Sequence, residues 1–288
     1  MNKYTFLFRN IVSKGVENIL NPSTLFFYLK TYVFRPLGTP EISAYVVSYP
    51  KCGRTWLRVM LAKYLQIIQN VEDFSPDILG KGMQGGKVDF NHDQSNWVPA
   101  PVCKNKINTP DSKFMGKPVI FIIRDPRDIL ISSYMHLRYR ERLYKDSLAA
   151  FVRDDYVGID KIINFMNVWD SFLEGHSQAT IISYEDMLND PVASLTVFLH
   201  GIGIMDVSDE AVNNAVDFGR FENMKKLESS GEAKIPWLRP GNKKDPRTFK
   251  TREGRSGTYK EHLSIEDLEY VNSRIKNKLA PRYSRYVI

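Results

Sequence analysis

The chain has 288 residues, 43% hydrophobic and 25% charged, which suits one large α/β domain or two small ones with a sizeable core. Its 40 Lys and Arg outnumber 33 Asp and Glu, a formal net charge of +7 with a pI near 9.2, so anionic partners are favoured. Two cysteines with no CxxC pair or Cys/His cluster argue against a disulfide scaffold and a structural zinc site, and no apolar run of about eighteen residues is present for a membrane span.

Residues 1–43 read as a basic-aromatic helical leader, with Phe6, Phe8, Phe26, Phe27 and Tyr28 among Lys3, Arg9 and Lys14. Such a segment either packs on its own domain or lies on a membrane surface. The scattered charges make a poor signal peptide, so a cytoplasmic protein is expected, with peripheral membrane contact through residues 1–43 as the alternative. Pro36 to Pro40 forms a short linker. Strands and helices then alternate. Tyr45–Tyr49 reads as a strand, Thr55 to about Gln69 as a helix, and 70–117 as loop-rich, with Gly80, Gly82, Gly85 and Gly86. PVIFIIRDP is a buried strand, and Pro126 opens the following helix. A helix over Gly158–Gly175 precedes a third strand, ATIISYED. Residues 230–258 are polar, and a last helix over Ser264–Leu279 is capped by Ser264 with Asp267 at its third position. Strands separated by helices predict an α/β fold: a single domain, 44–288, with a central parallel sheet flanked by helices.

Three stretches carry chemistry. In AYVVSYPKCGRTWLRVML a strand runs through a basic, glycine-bearing turn into a helix, the arrangement that cradles a phosphate on backbone N–H groups. Lys51 and Arg54 add charge, and the Thr55 hydroxyl can donate; the bland reading is a strand–turn–helix joint with surface basics. In VIFIIRDPRDILISSYM, Arg124 ends a strand where doubly wound folds bind ligands, and Ser132 follows about two helical turns later. Together they could grip a second phosphate; alone, RDPRD is also a salt-bridged helix start. In FKTREGRSGTYKEHLS, basic residues surround Gly254 and Gly257, a loop able to fold over an anion or simply to sit in solvent.

In order and spacing these stretches resemble the cytosolic-type sulfotransferases, which use 3′-phosphoadenosine-5′-phosphosulfate (PAPS) as sulfuryl donor and release 3′,5′-diphosphoadenosine (PAP). Tyr49–Trp56 matches that family's YPKSGTTW at six of eight positions. Arg124–Tyr134 resembles RNPKDxxVSxY, and Arg252–Lys260 resembles RKGxxGxWK. Tyr184–Met187 and Arg220–Met224 look like the family's YEDM and SFExM, so the resemblance spans about residues 44–262. It implies a P-loop-kinase-like sulfotransferase fold and a transferase that moves a sulfuryl group to a hydroxyl or amine of a small-molecule, lipid or glycan acceptor. It also implies donor-binding residues: Lys51, Cys52, Gly53, Arg54 and Thr55 at the 5′-phosphosulfate, the amides of Cys52 and Arg54 included. Trp56, Phe221 and Tyr184 would sit at the adenine; Arg124 and Ser132 at the 3′-phosphate; and Arg252, Glu253 and Gly254 over it. Lys51 and Ser132 would act in catalysis as well, and no metal is implied.

The departures are specific. Cys52 replaces a hydroxyl, Arg54 a small Thr, Gly219 a Thr and Glu253 a Lys. The family's KTHLP base motif falls near Cys103–Asn108 and lacks its His. With five histidines to choose from, His92 in DFNHDQSNW is the expected general base, and His136 is the alternative. Two other readings stand beside the transferase: a P-loop-type small-molecule kinase, for which the lysine comes too early in the loop, and a non-catalytic nucleotide-binding scaffold. No nucleic-acid-reading module is recognised. Acceptor contacts are expected from 70–110, 138–157 and 228–250, with Phe74, Phe90, Trp97, Tyr139, Tyr144, Tyr156 and Trp237 as candidates.

Overall fold

The computed structural model describes residues 41–75, 78–81, 86–95, 97, 107–230, 235 and 238–288. Ile42–Ile288 form one compact unit. The expected leader lies outside the described residues apart from its last three, and Ile42 and Ser43 already belong to the first strand. Among the described residues no helix is long and apolar enough to cross a membrane.

Four parallel strands, β1 (Ile42–Ser48), β2 (Lys87–Asn91), β3 (Val119–Ile123) and β4 (Ala179–Ser183), lie in the order β2-β1-β3-β4. Register is set by pairs such as Val46 with Phe90, Val46 with Ile120 and Phe121 with Ile181. All five residues of β3 are buried, as expected of a strand covered on both faces. The helices are α1 (Arg54–Ile68), α2 (Ile78–Lys81), α3 (Pro126–Met135), α4 (Leu148–Val152), α5 (Ile159–Glu174), α6 (Tyr184–Asn189), α7 (Pro191–Gly201), α8 (Asp209–Phe218), α9 (Phe221–Ser230) and α10 (Ile265–Lys278). On one face Phe121 stacks on Trp169 of α5, with ring centroids 5.5 Å apart. On the other, α7 comes so close that a Cβ on Gly201 would stand 2.6 Å from Ile120 Cδ1.

Two expectations are corrected. The loop-rich reading of 70–117 misses β2, a half-buried edge strand whose five residues carry only a weak alternation next to Gly86. The strand ATIISYED ends at Ser183, because the Ser183 hydroxyl accepts the Asp186 N–H at 2.9 Å and starts α6 with Tyr184, Glu185 and Asp186 in its first turn. The other helix starts follow their caps: Asp125 accepts from Arg127 N–H before Pro126, and Ser264 from Asp267 N–H.

Strand order reverses around β1, which puts a crevice at the carboxyl ends of the sheet. Lys51 follows β1, His92 follows β2, Arg124 follows β3 and Tyr184 follows β4. Every strand therefore delivers one side chain to the same edge.

Candidate active site

A cavity of about 300 Å³ opens at that edge. Lys51, Gly53, Arg54, Thr55 and Trp56 line it from the β1–α1 turn, Arg124 and Ser132 from β3 and α3, and Tyr184 from α6. Phe221 contributes from α9, Arg252, Glu253 and Gly254 from the late loop, and His92 and His136 stand on its wall as well. Of the expected donor-binding and catalytic residues, Cys52 alone does not line the cavity: its side chain is buried and its thiol is pushed up to about 12 by burial.

The turn after β1 has left-handed backbone at Lys51 (φ 78°) and Gly53 (φ 89°). For Lys51 this is a strained conformation, held because the Arg124 guanidinium donates to the Lys51 carbonyl at 3.1 Å. Gly53 has no room for a side chain, since a Cβ there would lie 2.7 Å from the Tyr184 ring. The turn thus presents the first N–H groups of α1 to the cavity. Gly219, where the family pattern has Thr, is explained the same way: a Cβ would stand 2.6 Å from Met60 and 3.1 Å from Trp56 Nε1. Trp56 and Tyr184 form an edge-on pair 6.1 Å apart, and Arg124 lies over the Tyr184 ring at 4.2 Å. A Cβ on Gly254 would meet Phe221 at 2.2 Å, so the late loop presses its backbone onto that ring.

The electrostatics are one-sided. Lys51 is held well below its ordinary value, first by burial and then by Arg252, Lys250, Arg140 and Arg124 around it. Arg252 reaches the Ser132 hydroxyl at 3.2 Å, and Lys250 is lowered to about 8 by burial and by Arg140. Arg54 Nη1, Arg124 Nε and Arg252 Nη1 are closed off from solvent with no acceptor in reach among the described residues. Buried donors left in this way cost roughly 1–3 kcal/mol each, so the side chains fit a ligand with several negative charges. Glu253, in the place of the family's Lys, turns its carboxylate to His262 (3.7 Å) and Arg255 (3.8 Å).

His92 Nδ1 faces the Ser48 carbonyl at 3.0 Å, and a carbonyl only accepts. Nδ1 therefore carries the proton, and Nε2 keeps its lone pair. Burial and then the Arg54 charge hold this ring well below the ordinary imidazole range, so it is neutral at neutral pH. His136 begins a π-helical turn, His136–Arg140, that continues α3; it is lowered by burial and by Lys51, its Nε2 lies 3.5 Å from Glu141, and its ring is 5.5 Å from Trp97.

Two buried carboxylates went unread in the sequence. Asp128 accepts from the Ser256 and Thr258 hydroxyls and from the Gly257 and Tyr259 N–H groups at 2.7–3.2 Å. Glu228 accepts from the Lys250 and Thr251 N–H groups at 2.7 and 2.8 Å. They clamp the late loop at both ends and leave Arg252 and Gly254 against the cavity. Asp128 lies inside the quoted RDPRD, where its acidity reads as a helix start; its partners are more than a hundred residues away.

Among the acceptor candidates, Trp97 lines the cavity. Tyr144 packs on Tyr134 and Phe151 in the core instead. Arg247 covers Tyr139, Arg58 covers Phe90, Phe74 rests on Phe218, and Tyr156 donates its N–H to Asp154. Trp237 and Cys103–Lys106 lie outside the described residues.

Comparison with known proteins places these features in one family. A flavonol 3-sulfotransferase of Flaveria bidentis is 24% identical over 262 residues, 82% of this chain and 81% of that one. A 3-alpha-hydroxysteroid sulfotransferase of Cavia porcellus is 23% identical over 259 residues, 81% of this chain and 82% of that one. Among solved structures, a mouse sulfotransferase complexed with PAP superposes with a TM-score of 0.59 at 19% identity, over 91% of this chain and 92% of that one. A retinol dehydratase in complex with androsterone and inactive cofactor PAP gives 0.58 at 18% identity, over 84% and 82%. The family model for the sulfotransferase domain matches residues 42–281, from the start of β1 to just past α10, and the chain therefore belongs to the sulfotransferase domain family.

Proposed function

We propose that this sulfotransferase takes its sulfuryl group from PAPS and passes it to a hydroxyl or amine of a small-molecule acceptor by in-line displacement. The observation that carries the reading is the cluster of Lys51, Arg124 and Arg252 in one cavity beside an aromatic wall of Trp56, Tyr184 and Phe221. Two anionic groups and an adenine between them match that arrangement. The β1–α1 turn, with Lys51, the Cys52 and Arg54 amides and Thr55, holds the 5′-phosphosulfate. Arg124, Ser132 and Arg252 hold the 3′-phosphate under the Glu253–Gly254 backbone.

PAPS supplies an activated sulfur whose bond to the bridging phosphate oxygen breaks as the acceptor oxygen bonds to it. His92 Nε2 takes the acceptor's proton, the task for which its tautomer and neutral state suit it. The Lys51 ammonium stabilises the charge growing on the bridging oxygen, a preorganised electrostatic effect of several kcal/mol. Ser132 is engaged by Arg252 within the 3′-phosphate subsite. A kinase would need its lysine after the glycine loop, and a non-catalytic scaffold would have no use for a base with a free Nε2. A lipid or glycan acceptor remains within the same chemistry, as do a cytoplasmic location and a membrane contact through residues 1–43.

Calorimetric titration with PAP tests the donor assignment. The wild type is expected to bind PAP and to ignore ATP–Mg²⁺, and Arg124→Ala to weaken PAP by about 10- to 100-fold, the worth of a charge-assisted contact. Preference for ATP–Mg²⁺, or an Arg124→Ala variant that binds PAP as the wild type does, would overturn it.

A further inference from the structure

Arg124 is anchored at both ends. Its guanidinium donates Nη1 to the Lys51 carbonyl at 3.1 Å and Nη2 to the Arg255 carbonyl at 3.3 Å, which leaves Nε with no acceptor among the described residues. Its backbone leads directly into the Asp125 N–H, which donates to Glu185 Oε1 at 3.0 Å. Ser256 follows the Arg255 carbonyl across one peptide bond; its hydroxyl donates to Asp128 Oδ2 at 2.9 Å and lies 3.4 Å from the same Glu185 oxygen. Glu185 therefore holds the root of the Arg124 side chain and borders the loop that receives its tip.

Glu185 is held in turn by the last residues of the chain. Tyr286 closes the turn Pro281–Tyr286, is 3% exposed, and donates its hydroxyl to Glu185 Oε2 at 2.8 Å. The Tyr286 carbonyl accepts from Arg127 at 3.0 Å, and Arg127 also grips the Asp125 carboxylate at 2.8 Å through Nε and Nη2. Arg285 adds a bidentate pair with Asp186 at 2.9 Å. Tyr286 thus joins the corner after β3, which carries Arg124, to the corner after β4, which carries Tyr184. A hydroxyl on a carboxylate is a strong, directional bond, and with Oε2 fixed on Tyr286 the other oxygen is aimed at Asp125. Neither Glu185 nor Tyr286 lines the cavity, and Tyr286 lies beyond residue 281, where the family match ends.

We propose that Glu185 is a positioning residue for the 3′-phosphate subsite, locked in place by the Tyr286 hydroxyl, and that both act on donor affinity through Arg124 without touching the donor. With Glu185 in place the Arg124 guanidinium is set before the ligand arrives, and binding does not have to order it. Without Glu185 the Asp125 N–H loses its acceptor, Ser256 keeps Asp128 alone, and the ligand itself must fix Arg124. The proposal rests on the donor reading above and adds to it the two residues that hold Arg124.

The test is a double-mutant cycle on PAP affinity, measured calorimetrically on the full chain. Glu185→Ala is expected to weaken PAP by about 10- to 30-fold in the wild-type background, and by less than about threefold once Arg124 is already Ala. Tyr286→Phe removes one hydroxyl and should weaken PAP by about three- to tenfold, with the same dependence on Arg124. Tyr283→Phe takes another buried phenol of the same turn off the Met166 carbonyl, 3.4 Å away, and should leave PAP within about twofold of wild type. Should Glu185→Ala not fold, Tyr286→Phe carries the cycle with Arg124→Ala. Losses that add in full in the double variants overturn the proposal, since a general loosening of the fold would add. So do Glu185→Ala and Tyr286→Phe proteins that bind PAP as the wild type does, or a Tyr283→Phe loss as large as that of Tyr286→Phe. Failure of the wild type to bind PAP, or an Arg124→Ala variant that binds it as the wild type does, would instead bring down the donor assignment.

Discussion

In the proposed mechanism His92 and Lys51 carry opposite electrical tasks, and burial favours the first while it opposes the charge of the second. A buried imidazole among cations stays neutral, so it is a base at neutral pH. Because its value in the folded protein lies below the ordinary 6.5, protonation should not silence it until the pH falls through that lower value. The acid limb of the kcat/KM profile is therefore expected below pH 6.5, and a limb centred at or above it would exclude His92 as the base. His92→Ala should lower kcat by about 10²- to 10⁴-fold with PAP binding retained, and His136→Ala should cost far less. The reverse ranking would move the base to His136, which faces Glu141 rather than a backbone carbonyl. Lys51→Ala should lower kcat by about 10²- to 10³-fold, as for loss of a preorganised donor to developing charge. The loop around Lys51 was legible in the chain because its lysine, glycine and threonine fall within one short turn, Lys51 to Thr55. The His92 tautomer was not, since Ser48 is 44 residues away.

The late loop owes its position to two helices. Asp128 of α3 and Glu228 of α9 each hold two of its N–H groups, and both are fully buried. Asp128→Asn replaces one accepting oxygen with a donor that faces one of the two pairs, either the Ser256 hydroxyl and Gly257 N–H or the Thr258 hydroxyl and Tyr259 N–H. The expected cost is about 1–3 kcal/mol of stability, read from denaturant midpoints, with faster PAP release in stopped flow. An Asp128→Asn protein with unchanged midpoint and release rate would show that the clamp does not matter. Gly254→Ala should be worse for binding than for folding: φ is +64° and the Phe221 ring fills the space, so the loop must lift off the cavity. The helices and their caps were legible from local spacing, since Ser264, Asp125 and Pro126 act within a single turn. β2 was not, because a five-residue edge strand has too little pattern of its own and is defined by its pairing with β1.

The molecule concentrates positive charge in one cavity, and its stability should report this. Lys250 is lowered to about 8 and Lys51 is also lowered, so between about pH 8 and pH 10 the unfolded chain binds more protons than the folded one. Stability then rises with pH across that window. Above about pH 10 the gain should reverse, because buried phenols such as Tyr283, raised from the ordinary 10.0, ionise only in the unfolded chain. PAP at about 100 times its Kd should add roughly 2.7 kcal/mol, about 5–10 °C in Tm, and should flatten the alkaline rise. A Tm that does not move with PAP, or that falls from pH 8 to pH 10 without it, would contradict this account.

The α/β class, the basic glycine turn after β1 and the presence of Arg124 and Ser132 on one cavity could be read from the chain alone. Anion cradles are built from local backbone geometry and fixed charges, and burial patterns repeat at the period of the element that carries them. Two features came only with the folded chain: strand β2, which brings His92 to the edge of the sheet, and the two carboxylates that clamp the late loop. Each depends on contacts between residues tens to more than a hundred positions apart. Such contacts follow from which surfaces the packed helices and strands bring together, and no local spacing records them.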